Sequence, residues 1–317
     1  QVSLVPHSQV DQYLISQSQM KVSLDQSRHD PAFVRQYFAS GAGQKQILTS
    51  AIQTGVPHTN LGILRAYQFP APPLAEQRAI AAALSDMDAL LEGLTRRIAK
   101  KRDLKQAAVQ QLLTGQTRLP GFHGEWEVRR LGELAEMGSG GTPTTSVPAY
   151  YDGDIPWVSI SDMTKGGKAI AGTDRNLTRA GLANSAAQMF PAGTVLYAMY
   201  ASLGECSIAE IPLCSSQAIL GIRPHDSLSN EFLYYYLISL KPIVKSLGQQ
   251  GTQANLNKGM VQDFRLRLPL RPEQTAIAAV LSDMDAELAG LEARRDKTRA
   301  LKQAMMQELL TGRTRLV

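Results

Sequence analysis

The residues best placed for chemistry are four aspartates that occur in two identical words. Asp86 and Asp88 lie in LSDMDA, and Asp283 and Asp285 lie in the same six letters 197 residues later. Two close carboxylates invite the thought of acid–base or metal chemistry, but each pair sits inside a helical pattern with no His or Cys beside it. Asp152, Asp154 and Asp162 are acidic neighbours in a Gly- and Pro-rich stretch and read as turn formers. Cys206 and Cys214 are eight positions apart without metal-spaced partners, and the five His residues are scattered. They predict reduced, buried thiols and no metal site. GSGG lacks the GK[ST] of a phosphate loop, and no GxGxxG fingerprint or GxSxG elbow is present. The sequence therefore predicts a non-catalytic chain.

A second chemistry is recognition. GGTPTT, from Gly140 to Thr145, and QQGTQANLNK, from Gln249 to Lys258, are rich in hydroxyls, amides and lysine. Such groups bond base edges and phosphates without a strong field. The candidate DNA-binding residues are Thr142, Thr144, Thr145, Gln253, Asn255 and Lys258, with Lys165 and Lys168 as further cations. The same composition also suits ordinary solvated turns. Charge alone does not decide: the chain carries +5 in all, but residues 120–269 hold 12 Lys/Arg against 13 Asp/Glu. A near-neutral unit with polar loops suits base readout better than non-specific clamping.

These loops need a frame, and the repeat supplies it. PLAEQRAIAAALSDMDALLEG from Pro73 and LRPEQTAIAAVLSDMDAELAG from Leu270 continue without gaps to LLTGQTRL and LLTGRTRL. Glu76/Glu273, Gln77/Gln274, Lys105/Lys302, Gly115/Gly312 and Arg118/Arg315 match across the copies. Ile80, Leu84, Met87, Leu91, Leu94 and Ile98 recur at heptad spacing, as do Ile277, Leu281, Met284, Leu288 and Leu291. Near Lys100 and Lys297 the phase slips, and the seam is expected to resume at Leu104/Ala108/Leu112 and Leu301/Met305/Leu309. Each helix would run about 41 residues, roughly 60 Å, with Pro72 and Pro272 at the starts and Gly115 and Gly312 at the ends. Either each helix packs on its own domain, or the two pair antiparallel as a coiled coil with a pseudo-two-fold axis. The shared seam and shared slip favour pairing. Asp86, Asp88, Asp283 and Asp285 fall off the seam, as contacts for a partner that meets both copies or as solvated flanks.

Looser matches extend upstream: DPAFVRQYFAS from Asp30 parallels NEFLYYYLIS from Asn230, and Ser18-Gln19 parallels Ser216-Gln217. Residues 120–198 find no counterpart. The expected organisation is α+β. Residues 1–71 form the C-terminal part of a first recognition domain, whose N-terminal part is absent. Residues 72–115 form a helix, 116–269 a complete mixed α/β recognition domain, and 270–317 a second helix. Within it, strands are expected at Ile155–Ile160, on either side of the glycine in GTVLYAMYASLGECSIAEI, and in DFRLRLP, with a helix over NEFLYYYLISLKPIVKSL. No signal peptide or membrane span is read, so the chain is expected in the cytoplasm.

GEWEVRRLGELAEMGSGGTPTT, YYDGDIPWVSISDM, GTQANLNKGMVQDFRLRLPLRPEQTAIAAVL and the doubled LLTGxTRL, in that order, resemble the DNA specificity subunit of type I restriction-modification enzymes. The resemblance implies two target recognition domains that read the halves of a split DNA sequence, held apart by the helix pair. It implies two methyltransferase (modification) subunits as partners, joined by translocase/nuclease (restriction) subunits. S-adenosylmethionine, ATP and Mg²⁺ would belong to those partners, and no cofactor to this chain. A ruler of roughly 60 Å spans less than two turns of B-DNA at about 34 Å each. A coiled-coil scaffold that binds only proteins, with no DNA sequence readout of its own, is the alternative.

Overall fold

The computed structural model describes residues 2–5, 19–52, 58–248 and 255–316. The chain folds as two compact units, Gln1–Lys101 with Glu287–Val317, and Arg102–Ala286. The boundary crosses two long helices, so each unit owns part of both.

The first unit begins with α1 (Pro31–Ala39), α2 (Gly41–Ser50) and α3 (Leu61–Arg65). Asp30, Ser40 and Asn60 cap them, each side chain accepting a backbone N–H of the first turn. The 41-residue α4 (Leu74–Thr114) follows. Phe33, Val34 and Tyr37 of α1 share a buried cluster with Ile80, Ala81 and Leu84 of α4 and with Met306, Leu309 and Leu310 at the chain's far end.

The second unit is mixed α/β. β1 (Glu127–Arg130), α5 (Leu131–Leu134), β2 (Ala135–Ser139), β3 (Tyr151–Val158), α6 (Ile160–Gly166), β4 (Ala169–Ile170), β5 (Arg175–Leu177) and α7 (Arg179–Ala183) come first. Next are β6 (Val195–Ala198), β7 (Cys206–Ala209), β8 (Cys214–Ser215), β9 (Ile219–Pro224), α8 (Asn230–Gly248), α9 (Lys258–Gln262), β10 (Arg265–Leu268) and α10 (Arg271–Leu309). Five strands form a sheet in the order β2-β9-β6-β7-β4, three form β5-β3-β8, and β1 pairs with β10. Fully buried Val195, Tyr197, Leu220, Ile222 and Phe232 join Ile277 and Leu281 of α10 in the main core. Burial pushes the Cys214 thiol up to about 11.

Three expectations need correction. The strand expected at Ile155–Ile160 runs from Tyr151 to Val158, because Ser159 caps α6 and Ile160 is already helical. Asp162 is not a loose turn former: it completes a capping box with Ser159 and accepts the Asp174 N–H at 2.8 Å. Burial works to raise its pKa, but the Ser159 and Asp174 hydrogen bonds outweigh that and hold it below the usual carboxylate value. Lys258 does not end a loop but opens α9, which Asn257 caps.

The seam expected after the phase slip holds except at its first position in each copy. Leu104 and Leu301 are 48% and 54% exposed. Ala108 and Met305 are half-buried, and Leu112 and Leu309 are buried as expected, joined by Leu113 in one copy and by Met306 and Leu310 in the other. The turns between hold polar contacts: Lys101 bonds Glu287 at 2.7 Å, and Lys105 bonds Asp285.

Candidate nucleic-acid interface

Within each unit the two long helices run antiparallel. In the first, Asp88 meets Lys302, Glu76 meets Arg315, and Leu94 and Ile98 pack on Leu288 and Leu291. In the second, Asp285 meets Lys105 and Glu273 meets Arg118. The two ion pairs correspond one for one. Ile80, Leu84, Leu94, Ile98, Ile277, Leu281 and Leu291 are buried, while Met87, Leu91, Met284 and Leu288 are half-buried. The two arrangements left open by the sequence coexist, since clusters of this seam include each domain's own helix.

The repeated word also joins helix to domain. Asp88 accepts from Lys302 Nζ at 2.5 Å and from Gln36 Nε2 of α1 at 2.9 Å. Asp285 accepts from Lys105 Nζ, and from the Tyr235 hydroxyl of α8 at 2.9 Å. Both aspartates are thus held by contacts within the chain. Asp86 and Asp283 remain exposed. Burial acts to raise the Asp88 pKa, but its bonds to Lys302 and Gln36 prevail and lower it below 3.8. The folded carboxyl therefore titrates below the unfolded one. Its stabilisation is complete above the unfolded value, about pH 4, and fades as pH falls through the folded value. Between about pH 5 and 2 the melting temperature of wild type should fall more steeply than that of Asp88→Asn, as calorimetry would show.

Gln77 and Gln274, noticed in the sequence only as matches, do equivalent work. Gln77 Oε1 accepts the Asp30 N–H at 2.9 Å, and Gln274 Oε1 accepts the Ser229 N–H at 2.7 Å. Asp30 therefore corresponds to Ser229, one residue before the sequence match at Asn230.

The recognition loops are positioned by backbone contacts. Gly140 and Gly141 donate to Ile219 O and Ser215 O at 3.1 and 2.8 Å. A Cβ on either would fall within 2.3 Å of neighbouring backbone, so only glycine fits this approach. Trp157 Nε1 bonds Gly141 O at 3.0 Å and the Tyr151 hydroxyl bonds Pro143 O at 2.8 Å. Thr142 is then held against exposed Gln217 by a side-chain hydrogen bond. Next in line, Met199 N donates to Ala218 O at 2.8 Å and Leu256 N donates to Met199 O at 3.1 Å. One strip therefore carries Thr142, Gln217, Tyr200, Ala201 and Asn255, with Lys258 exposed three residues beyond Asn255. Ala201 adopts φ 57°, a strained left-handed conformation for a residue with a Cβ.

The structure thus joins Thr142 and Asn255 through two segments not singled out for recognition, around Tyr200 and Gln217. The repeat of Ser18-Gln19 at Ser216-Gln217 was the only sequence signal for the latter. Thr144 and Thr145 are exposed in the same loop as Thr142, and Gln253 lies outside the described residues. The two other lysines are elsewhere. Lys165 pairs with Asp174 beside a shallow cavity. Lys168 is paired with Glu231 and sits 4.9 Å over the Tyr235 ring, 3.4 Å from Ser282 Oγ. It belongs to the α8–α10 joint, not the strip.

Among the described residues, no group of His, Cys, Asp and Glu is arranged to hold a metal ion, and no helix is long and apolar enough to cross a membrane. Comparison with known proteins then identifies the architecture. Residues 7–101 and 123–298 match the type I restriction modification DNA specificity domain. The chain belongs to that family. It is 30% identical over 164 residues to the type I restriction enzyme MjaIX specificity subunit of Methanocaldococcus jannaschii, covering 51% of this chain and 38% of that protein. It is 26% identical over 278 residues to the putative MjaX specificity subunit of the same organism, covering 83% and 62%. The fold is shared with the type I restriction-modification S subunit from M. genitalium, at TM-score 0.61 and 18% identity over 90% of this chain and 74% of that one. The chain spans less than two thirds of the length of these curated relatives.

Proposed function

We propose that this chain is a non-catalytic, DNA-reading specificity subunit of a type I restriction-modification complex. The observation that carries the reading is the strip of hydroxyl and amide side chains, fixed by backbone hydrogen bonds, on a chain that matches the specificity family in both halves. Thr142, Gln217 and Asn255 offer donors and acceptors suited to base edges, and Lys258 offers a charge suited to a phosphate. Thr144 and Thr145 extend the same surface. The repeated helix surfaces, with Asp86 and Asp283 exposed at matching positions, would meet two methyltransferase subunits, with restriction subunits joining for cleavage. S-adenosylmethionine, ATP and Mg²⁺ would act on those partners in the cytoplasm.

Binding-site selection on the assembled complex tests this. Gln217→Ala and Asn255→Ala should relax the preference at one half-site by about 1–3 kcal/mol per lost base contact. Lys258→Ala should weaken all sequences alike and flatten the salt dependence. If all three variants bind every sequence as wild type does, the strip is not the reader.

A further inference from the structure

The turn between β6 and β7 bends at a residue for which bending is costly. The two strands pair antiparallel. Ala198 closes their ladder: its N–H donates to Glu205 O at 2.9 Å and its carbonyl accepts the Gly204 N–H at 3.1 Å. Gly204 makes its reversal at φ 79°, which costs a glycine little. Ala201 adopts φ 57° with a Cβ in place, a conformation that sterics penalise in every residue but glycine. Among the described residues the other non-glycine at positive φ is Asp152, and an aspartate eases that backbone with hydrogen bonds that alanine cannot make. Ala201 is also exposed, so burial of its own methyl does not offset the strain. Strain of this kind persists only where the surroundings impose it, and it collects at functional sites.

The bend fixes the residue before it. Met199 is pinned on both sides, by Ala218 O and by the Leu256 N–H. Beyond it, Tyr200 and Leu203 both pack on the main core, and Glu205 is tied to Lys241 of α8. Tyr200 is half-buried. The hydroxyls of Tyr151, Tyr235 and Tyr236 are spent on Pro143 O, Asp285 and Arg265 O, whereas that of Tyr200 has no hydrogen-bond partner among the described residues. Tyr200 thus sets one aromatic ring, backed by the core, in a strip whose other recognition side chains, Thr142, Gln217 and Asn255, are polar. Amides and hydroxyls suit the donors and acceptors of base edges. The one apolar feature among those edges in the major groove is the 5-methyl group of thymine.

We propose that Tyr200 reads a thymine through contact of its ring with that methyl group, and that Ala201 is a positioning residue whose strained turn holds the ring in place. This rests on the DNA-reading proposal and adds to it one base and the residue that selects it.

Binding-site selection on the assembled complex fixes the half-site, and duplexes in which each thymine in turn is replaced by deoxyuridine then remove one methyl at a time. Wild type should lose about fourfold in affinity at one such position, the worth of one buried methyl group. Tyr200→Ala should be indifferent there and should bind the unmodified site about tenfold or more weakly. Tyr200→Phe keeps the ring and should keep the deoxyuridine response. Ala201→Gly relieves the strain and should not lower the urea midpoint, yet it frees the turn and should cut the response to about twofold or less. In a Tyr200→Ala background it should change nothing further, because it acts through the ring. Tyr200→Gln repeats the test where circular dichroism shows that Tyr200→Ala does not fold. A wild type that no deoxyuridine weakens, or an equal loss in wild type and Tyr200→Ala, overturns the proposal. So does a Tyr200→Phe variant that weakens all sequences alike, since the hydroxyl would then be a phosphate contact. If Gln217→Ala and Asn255→Ala relax the half-site while Tyr200→Ala leaves it unchanged, this inference fails and the DNA reading stands; if none of the three relaxes it, the reading itself fails.

Discussion

Replacing Gln274 with leucine should cost the second unit about 3 kcal/mol or more, although leucine nearly matches glutamine in volume and suits a buried site. Gln274 is fully buried. Its Oε1 accepts the Ser229 N–H at 2.7 Å, and its Nε2 donates to Ser227 O and Pro269 O, both at 2.8 Å. One side chain thus closes three backbone groups where the start of α8, the end of β10 and the start of α10 converge. Leucine leaves no void but strands all three, and each buried unsatisfied group costs about 1–3 kcal/mol. Both tryptophans, Trp126 and Trp157, lie in this unit, so indole fluorescence in urea follows it selectively. The midpoint should fall sharply with little change in slope. Gln77→Leu strands the Asp30 N–H and the carbonyls of Arg28 and Pro72 in the first unit. It should spare that fluorescence transition unless the units unfold together. An unshifted midpoint for Gln274→Leu would mean that water replaces the amide.

The sequence exposes what is doubled and conceals what is joined. Heptad spacing placed the seam from Ile80 to Ile98 and from Ile277 to Leu291, because apolar burial leaves a periodic trace in the letters. Asp88 and Asp285 left no such trace. Their role depends on Gln36 and Tyr235, which are 52 and 50 positions away and of different chemical type. An amide and a phenol can donate the same hydrogen bond, so aligning the copies does not reveal the match. Gln217 was equally hidden, because its place beside Thr142 comes from the antiparallel pairing of β2 with β9, which sets Ser139 opposite Leu220. Lys168 lies away from the strip for the opposite reason. Its charge was visible, but Glu231 and the ring of Tyr235, which claim it, are more than sixty residues away.

The seam beyond the phase slip is the sharpest point at which letters and structure part, and two leucines of the second unit test it. Leu281→Ala should cost about 3–5 kcal/mol: the side chain is fully buried in the main core, and truncation loses its transfer energy and leaves a cavity. Leu104→Ala should change stability by no more than about 0.5 kcal/mol, because Leu104 is 48% exposed and alanine is at least as good a helix former. A seam that continued through Leu104 would make both variants costly. The physical reason that the seam skips Leu104 is polar. Lys101 reaches Glu287, and Lys105 reaches Asp285, which Tyr235 also holds. Placing these lysines towards the partner helix turns Leu104, the residue before Lys105, away from it. The apolar face then resumes at Ala108 and Val109, with Leu112 and Leu113 buried beyond them. Urea unfolding read by the two tryptophans covers both variants under one signal. Comparable losses for Leu281→Ala and Leu104→Ala would restore the uninterrupted seam, and a loss confined to Leu281→Ala would establish that the charged rung sets the register.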